Sequence, residues 1–390
     1  MDAEEPDMKI VLSVDAIKPP LTGIGRYTWE LAQQLPLQPG IERVRYHQGG
    51  QWLDDPASLL RASQGGGGPK AIKWPRWVRQ LYWSHAFRGQ IYHGTNYFLP
   101  PQVECGVVTV HDLSVLKYPE THPVKRVKDF ERYFRSTLER ASYLITDSET
   151  IRQEVIANLA WPAARVSAVP LGVAAAFHPR NEDVLLSHLQ RLGVVPGQYA
   201  LCVSTIEPRK RIDALLMAYS RLPASLLEAY PLILVGSDGW QNEHLHDLIT
   251  RGQREGWLRY WGFVPENDLP ALYAGARLFV YLSMYEGFGL PVAEAMASGI
   301  PLVASNRSCL PEITGGAAQL VDPDDMDLLP QVLEAALLDT TWRVHAIEKG
   351  LEIAARYRWD VCARNTVAVY NYATDRKVHT DEVSSERNQK

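Results

Sequence analysis

The stretch Tyr281–Ser305, YLSMYEGFGLPVAEAMASGIPLVAS, constrains this chain more than any other part of it. The apolar run ending at Leu282 has the character of a buried strand, and Ser283–Leu290, with Gly287 and Gly289, is a loop. Pro291 stands where proline favours the first turn of a helix, Val292–Ser298 continues that helix, and Gly299 closes it before the strand-like Pro301–Ser305. A loop-to-helix junction of this kind aims unpaired backbone N–H groups and a partial positive charge at one point, which suits a diphosphate. Glu286 precedes the helix and Glu294 lies in its first turn. Two carboxylates repel phosphate, but facing sugars each accepts hydrogen bonds from a pair of hydroxyls. Acidic residues also gather at helix N-termini simply to complement the dipole. Here the glycines, the proline and the following strand all lie between or beside the two acids.

The counter-charge is found upstream. Tyr199–Ser204 is a strand running into Thr205–Arg211, TIEPRKR, ahead of a helix over Ile212–Arg221. A planar guanidinium at Arg209 beside the point charge of Lys210, placed at a strand-to-helix turn, is a clamp for a diphosphate; alternatively the run is a solvated face. Leu232–Val235 is a further strand ending at Gly236–Gly239, and Tyr260–Val264 precedes an amphipathic helix from Leu269. Asp325 and Asp327 match a DxD metal motif formally, but they open a helix, where acidic capping is sufficient explanation. No metal site is expected there.

The N-terminal half repeats the alternation of strands and helices. Strands are predicted over Met8–Val14, Gln90–His93, Gly106–Val110, Tyr143–Thr146 and Val166–Pro170. After the first comes the loop LTGIGRYT, with Gly23 and Gly25, and then a helix from Tyr27. Position 28 is Thr where a dinucleotide fingerprint needs glycine, so these residues are either a phosphate- or acceptor-facing loop or a plain helix entry. His111 and Asp112 follow the third strand, at the carboxyl end where open α/β sheets bind ligands. Asp112 is expected to orient His111 or to cap the next turn.

Glu286-Gly-Phe-Gly-Leu-Pro-Val-Ala-Glu294 and Glu207-Pro-Arg-Lys210 resemble the signatures of the retaining GT-B glycosyltransferases of family GT4, which includes bacterial mannosyl-, rhamnosyl- and glucosyltransferases. The segment VTVHDLSVLKYPETHP is similar to the corresponding one in that family's mannosyl- and rhamnosyltransferases. The resemblance covers residues 8 to about 373. It implies an α/β, GT-B fold of two Rossmann-like domains facing a central cleft, with a C-terminal helix returning to the N-terminal domain. The expected divisions are an acceptor-side domain over 1–180, a donor domain over 181–358, a crossover helix over 359–374 and a disordered tail over 375–390. It implies that Glu286 and His111 face the donor sugar and that Arg209 and Lys210 neutralise the leaving nucleoside diphosphate. Donor contacts are implied for Gly23, Gly25, Phe288, Gly289 and Leu290, for Glu294 on the ribose, and for Phe263 and Val264 on the base. Arg211 stands where the family usually has Asn, so only the two preceding cations carry over.

Composition narrows the partners. A net charge of −5 argues against a general nucleic-acid binder, yet residues 1–180 hold 21 basic against 18 acidic side chains and the remainder 19 against 27. The first half is therefore the one to approach an anionic surface. Within it, Lys70, Lys73, Arg76, Arg79 and Arg88 interleave with Trp74, Trp77, Tyr82, Trp83 and Phe87, which fits an anionic bilayer interface or a helix packed on its own domain. A flexible QGGGGP run at 64–69 precedes it. A second basic helix, Val124–Arg140, has Phe130, Tyr133, Phe134 and Leu138 at helical spacing, giving one buried face. Four widely spaced cysteines suit reduced thiols. The acidic N-terminus lacks a signal peptide's apolar core, so the expected location is cytoplasmic, with peripheral contact on the inner membrane.

The expected activity is transfer of a hexose, mannose or rhamnose, from a nucleotide sugar (a GDP-sugar favoured) to a glycan or lipid-linked glycan acceptor, without a metal cofactor. The alternatives are a non-catalytic nucleotide-sugar-binding subunit and a GT-B epimerase or phosphorylase.

Overall fold

Runs of apolar and β-branched residues buried on both sides build parallel strands, and the chain supplies two sets of them. A computed structural model describes residues 8–21, 23–61, 75–239 and 243–387, the side chains of 243–244 and 375–387 excepted. By internal contacts the chain divides into two units, Met1–Leu113 with Lys128–Gly172 and Trp359–Lys390, and Ser114–Val127 with Val173–Arg358. The first unit thus ends at Gly172, short of the expected 180, and the segment 114–127 groups with the second unit.

Among the described residues the first unit holds a seven-stranded sheet. Its strands are β1 Met8–Ser13, β2 Ile41–Gln48, β3 Gln51–Leu53, β4 Ile91–Gly94, β5 Gly106–Val110, β6 Ala141–Thr146 and β7 Val166–Ala168, in the order β3-β2-β1-β4-β5-β6-β7. Every pairing is parallel except the β2–β3 hairpin. That hairpin is absent from the sequence reading because the exposed Glu42 and Arg43, and Arg45 stacked on Trp52, break the apolar signal. The helix Trp359–Arg387 belongs to this unit: Cys362, Val369 and Tyr370 are buried, and the Tyr370 hydroxyl lies 2.7 Å from His93 Nδ1 on β4. It runs on past Thr374 to Arg387, where a disordered tail was the expectation.

The basic aromatic segment divides by face. In the helix Arg76–Ala86, Trp83 is buried, and with Phe87 just beyond the helix it packs around His47, Trp52 and Tyr92, while Trp77 and Leu81 remain 67% and 64% exposed. The glycine run at 64–69, and Lys70, Lys73 and Trp74, lie outside the described residues. In the second basic helix, Val124–Arg140, Phe130 and Phe134 are buried as expected, but Tyr133 points outward.

The second unit holds β8 Ala200–Val203, β9 Leu232–Val235, β10 Leu258–Gly262, β11 Leu278–Tyr281, β12 Leu302–Ser305 and β13 Ala318–Val321. They form a parallel sheet ordered β10-β9-β8-β11-β12-β13. Its core joins Cys202, Ile206, Leu215, Leu234, Val280, Val303 and Leu333. At Gly236, which follows β9 with φ 149°, a Cβ would come within 1.8 Å of the Ser204 carbonyl, so only glycine lets the loops after β8 and β9 touch. Strand order reverses between β8 and β11, and an open α/β sheet binds its ligand at the carboxyl ends flanking such a reversal. No helix among the described residues is long and apolar enough to cross a membrane.

Candidate functional site

The two segments singled out by sequence leave the sheet on either side of that reversal. Thr205–Arg211 follows β8, Leu282–Gly289 follows β11, and the Met284 amide donates to the Arg209 carbonyl at 2.9 Å. Pro208–Lys210 forms a 3-10 turn, and Arg211, in the left-handed region at φ 51°, redirects the chain into the helix Ile212–Tyr219. The turn points Arg209 and Lys210 inward. Lys210 Nζ is in a direct ion pair with Glu286 Oε1 and reaches the Tyr281 hydroxyl at 3.2 Å. Arg209 donates to the Tyr285 carbonyl, holds Glu207 at 2.8 Å and lies 3.7 Å from Glu286 Oε2.

All of these groups are largely withdrawn from water, so their charges act at low screening. Burial by itself would raise the Glu286 carboxyl, but Lys210 and then Arg209 outweigh it and hold the group below the usual carboxylate range. Glu286 is therefore ionised at neutral pH. Two cations share one buried carboxylate here, and the buried Glu207 pairs with Arg209 as well.

The helix after the loop spans Leu290–Ala297, with Pro291 in its first turn. Gly289 has φ 90°, and a Cβ there would come within 2.8 Å of Leu310 Cδ2. Among the described residues, the amides of Phe288, Gly289 and Leu290 have no hydrogen-bond acceptor, so the helix entrance offers unspent N–H groups. Phe288 is buried, its ring edge-on to Tyr357 at 5.1 Å, which leaves its backbone as the part that a ligand meets. Glu294 is half-buried on the helix, and after burial its charge is the main influence raising the Tyr273 phenol.

The remaining predicted positions separate. Val264 is buried, whereas Phe263 is 56% exposed at the end of β10 and is a surface ring. Gly23 and Gly25 sit inside the first turn of the helix Gly23–Gln34, earlier than the Tyr27 start read from the sequence, so they are helix entry in form. His111 ends β5 of the first unit, buried, but Asp112 does not orient it: Nδ1 lies 2.8 Å from Asp147 Oδ2 and Nε2 is 2.9 Å from the Thr95 carbonyl. Asp112 instead accepts from the Tyr97 hydroxyl at 3.1 Å. Arg211, in the position where Asn is usual, pairs with Asp324, which Arg307 also holds at 2.7 Å. Asp325 accepts from the Leu328 amide at 3.0 Å and so caps that helix.

Several neighbours of Glu286 were not read as site residues from the sequence, where the loop Asn306–Leu310 resembles the family's but suggests packing. The Tyr281 hydroxyl donates to Glu286 Oε1 at 2.8 Å. Ser308 Oγ donates to the Glu286 carbonyl at 2.8 Å and accepts its amide at 3.3 Å, and Cys309 Sγ adds a third contact at 3.2 Å. Ser308 does this from the left-handed region, φ 55°, a backbone cost tolerated where a site demands it. Lys117 stands 5.0 Å from the centre of the Tyr285 ring. Tyrosine at a strand end and serine in a loop are too common to mark themselves, and the SerCys pair could be found only once its loop was placed beside Glu286.

Known proteins resemble this chain in sequence and in fold. The glycosyl transferases group 1 model matches residues 194–352, which contain Arg209, Lys210 and Glu286. The chain is 39% identical over 378 residues to O-antigen chain mannosyltransferase B of Escherichia coli, covering 93% of this chain and 99% of that protein. The chain belongs to the glycosyl transferases group 1 family. A second relative in Escherichia coli, serotype-specific mannosyltransferase WbdA, is 33% identical over 240 residues, 59% of this chain but 29% of the relative. As a group 1 glycosyltransferase the protein is an enzyme, and it shares its fold with Anabaena HepE solved with UDP-glucose (TM-score 0.70, 19% identity, 95% and 100% of the two chains). It is also similar to WaaG, a glycosyltransferase involved in lipopolysaccharide biosynthesis (TM-score 0.69, 16% identity, 92% and 98%). These likenesses show the GT-B architecture of two Rossmann-like α/β units.

Proposed function

We propose that this group 1 enzyme is a retaining GT4 transferase that moves mannose, with rhamnose as the other candidate, from a GDP-sugar to a lipid-linked glycan in O-antigen-type polysaccharide assembly. The observation that carries the reading is the buried pairing of Arg209 and Lys210 with Glu286 beside the unspent amides of residues 288–290. The near full-length relative that transfers mannose to O-antigen chains favours the sugar and the product class.

The donor diphosphate takes the amides of Gly289 and Leu290 together with Lys210 and Arg209. Glu286 receives sugar hydroxyls in exchange for Lys210, Glu294 those of the ribose, and Val264 with Phe263 borders the base. Donor contacts are proposed also for Gly23, Gly25 and His111 of the first unit, as the family resemblance implies. The anomeric C–O bond breaks with its electron pair passing to the diphosphate oxygen. The acceptor hydroxyl oxygen bonds the same face of that carbon, and its proton goes to the departing phosphate. Fixed cations and amides stabilise the leaving charge without reorganising, so no divalent metal is required.

Purified protein with GDP-mannose and a lipid-tagged mannoside acceptor is expected to turn over in the presence of EDTA and to keep the anomeric configuration. Loss of turnover in EDTA, or an inverted product, defeats the respective part. A thermal-shift panel of GDP, UDP and ADP checks the base.

The exposed Trp77 and Leu81, with Arg76, Arg79 and Arg88 around them, are proposed to rest on the anionic cytoplasmic face of the inner membrane. Co-sedimentation with phosphatidylglycerol vesicles should fall at least several-fold in a Trp77→Ser, Leu81→Ser double variant. Equal binding by both proteins refutes this contact.

A further inference from the structure

His111 ends β5, and the strands on either side end in its two partners. Nε2 faces the main-chain carbonyl of Thr95, after β4, at 2.9 Å. A carbonyl oxygen only accepts, so Nε2 carries a proton. Nδ1 faces Asp147 Oδ2, after β6, at 2.8 Å. If Nδ1 were bare and Asp147 ionised, two lone pairs would oppose each other in a buried site. A second proton therefore lies between ring and carboxylate. Among the described residues Asp147 Oδ1 is buried without a hydrogen-bond partner, so the counter-charge at that carboxylate comes from His111, which draws the Asp147 carboxyl back down against the upward push of burial. Removing the proton would leave an uncompensated buried anion, which is strongly unfavourable.

The other groups around the ring do not reverse this. Tyr27, from the helix Gly23–Gln34, meets it edge-on at 5.0 Å, and Tyr97 does so at 5.9 Å. Asp112, the next residue, adds negative charge that favours the charged ring. His93 on β4 is held neutral, pushed down to about 3 by burial and by the charge of His111. Cys362, on the helix from Trp359, is pushed up by burial and by Asp147, and stays a thiol. Burial lowers His111 itself, but Asp147 outweighs it and the net displacement is upward.

We propose that Asp147 is a positioning residue for transfer: it keeps both ring nitrogens of His111 protonated, so that His111 acts as a fixed double donor and never as the base for the acceptor hydroxyl. This rests on the reading above that His111 belongs to the donor site, and it explains why the acceptor's proton is left to the departing phosphate. One consequence is structural. The ring ties the ends of β4 and β6 together through Thr95 and Asp147, and the tie weakens when the ring loses a proton.

The test has a readout that does not involve turnover. In protein labelled with 15N-histidine, the His111 ring, assigned by the signals missing from His111→Gln, should show two protonated nitrogens at neutral pH and above. One bare nitrogen at neutral pH overturns the proposal, and this measurement on the wild type decides even if a variant fails to fold. In Asp147→Asn the alkaline limb of kcat should move down by a pH unit or more, a tenfold change in proton concentration, whereas a limb that stays in place overturns the positioning role. His111→Ala with wild-type transfer would instead sink the donor-site assignment of His111, and the ring measurement would still stand on its own.

Discussion

Lys210 and Glu286 are each other's partners in this structure, and a donor has to exchange that ion pair for its own contacts. The exchange costs little only if the incoming diphosphate and sugar hydroxyls replace both partners. Removing either side chain should therefore lower kcat by about 10²-fold or more, the scale of losing a preorganised charge stabiliser. The two losses differ in stability. Lys210→Met leaves Glu286 with Arg209 at 3.7 Å as a remaining cation, so its cost should fall below the roughly 3–5 kcal/mol of a buried charge left uncompensated. Glu286→Gln leaves Lys210, equally withdrawn from water, with no carboxylate partner among the described residues, and should therefore melt lower than Lys210→Met. Thermal melts alongside donor turnover separate the two, and equal turnover with wild type in both would refute the assignment. The pH dependence follows from the same residue. The folded state holds the Glu286 carboxyl below its usual range, so its stabilisation is complete above the unfolded value and is lost as pH falls through the depressed one. Melting temperature should thus fall on acidification below the ordinary carboxylate range, more steeply in wild type than in Glu286→Gln.

At the scale of elements, Gly289 decides whether the donor loop can enter its helix. Its φ of 90° and the 2.8 Å approach of Leu310 to a would-be Cβ make Gly289→Ala doubly unfavourable. Backbone strain alone is worth about 1–3 kcal/mol. The variant should melt lower and bind nucleoside diphosphate more weakly, because the amides of 289 and 290 turn away together. Isothermal titration with GDP checks this, and unchanged affinity would remove the amides from the site. This element was legible in the sequence because a glycine, a proline and two acids fix loop, helix entry and charge within nine consecutive residues. The cations of Thr205–Arg211 were legible for the same reason: strand end, turn and helix start are contiguous. What holds Glu286 was not. Tyr281 and Ser308 act from the strand before the loop and from the turn after β12, and their hydroxyls become informative only when β11 and β12 are placed side by side. His111 shows the same limit, since its true partner Asp147 is 36 positions away and the adjacent Asp112 was the obvious but wrong choice. The β2–β3 hairpin stayed hidden because charges on β2 erased its alternation.

Over the whole molecule, the last helix is where chain order and architecture part company. Trp359–Arg387 follows the entire second unit in sequence, yet its buried face completes the first. Trp359, Cys362, Val367, Val369 and Tyr370 are all withdrawn from water, and Tyr370 supplies the hydroxyl at one nitrogen of His93, whose other nitrogen meets Thr109 Oγ1 at 2.8 Å. Burying a large apolar side chain is worth about 1.5–3 kcal/mol. Several of them together rival the roughly 5–15 kcal/mol that keeps a whole domain folded. A chain ending at Arg358 should consequently lose the first unit's cooperative melt while the second unit, whose core lies between residues 200 and 337, still unfolds as a unit. Tyr370→Phe is the gentler version. It keeps the ring packing but leaves a buried imidazole nitrogen without its partner, at a cost of about 1–3 kcal/mol. Calorimetry with limited proteolysis distinguishes the outcomes: two transitions in the wild type, the first-unit transition lowered in Tyr370→Phe and absent in the truncated chain, with GDP still shifting the second. If the truncated chain keeps a protected first unit, the helix is an ornament on that unit and not part of its core.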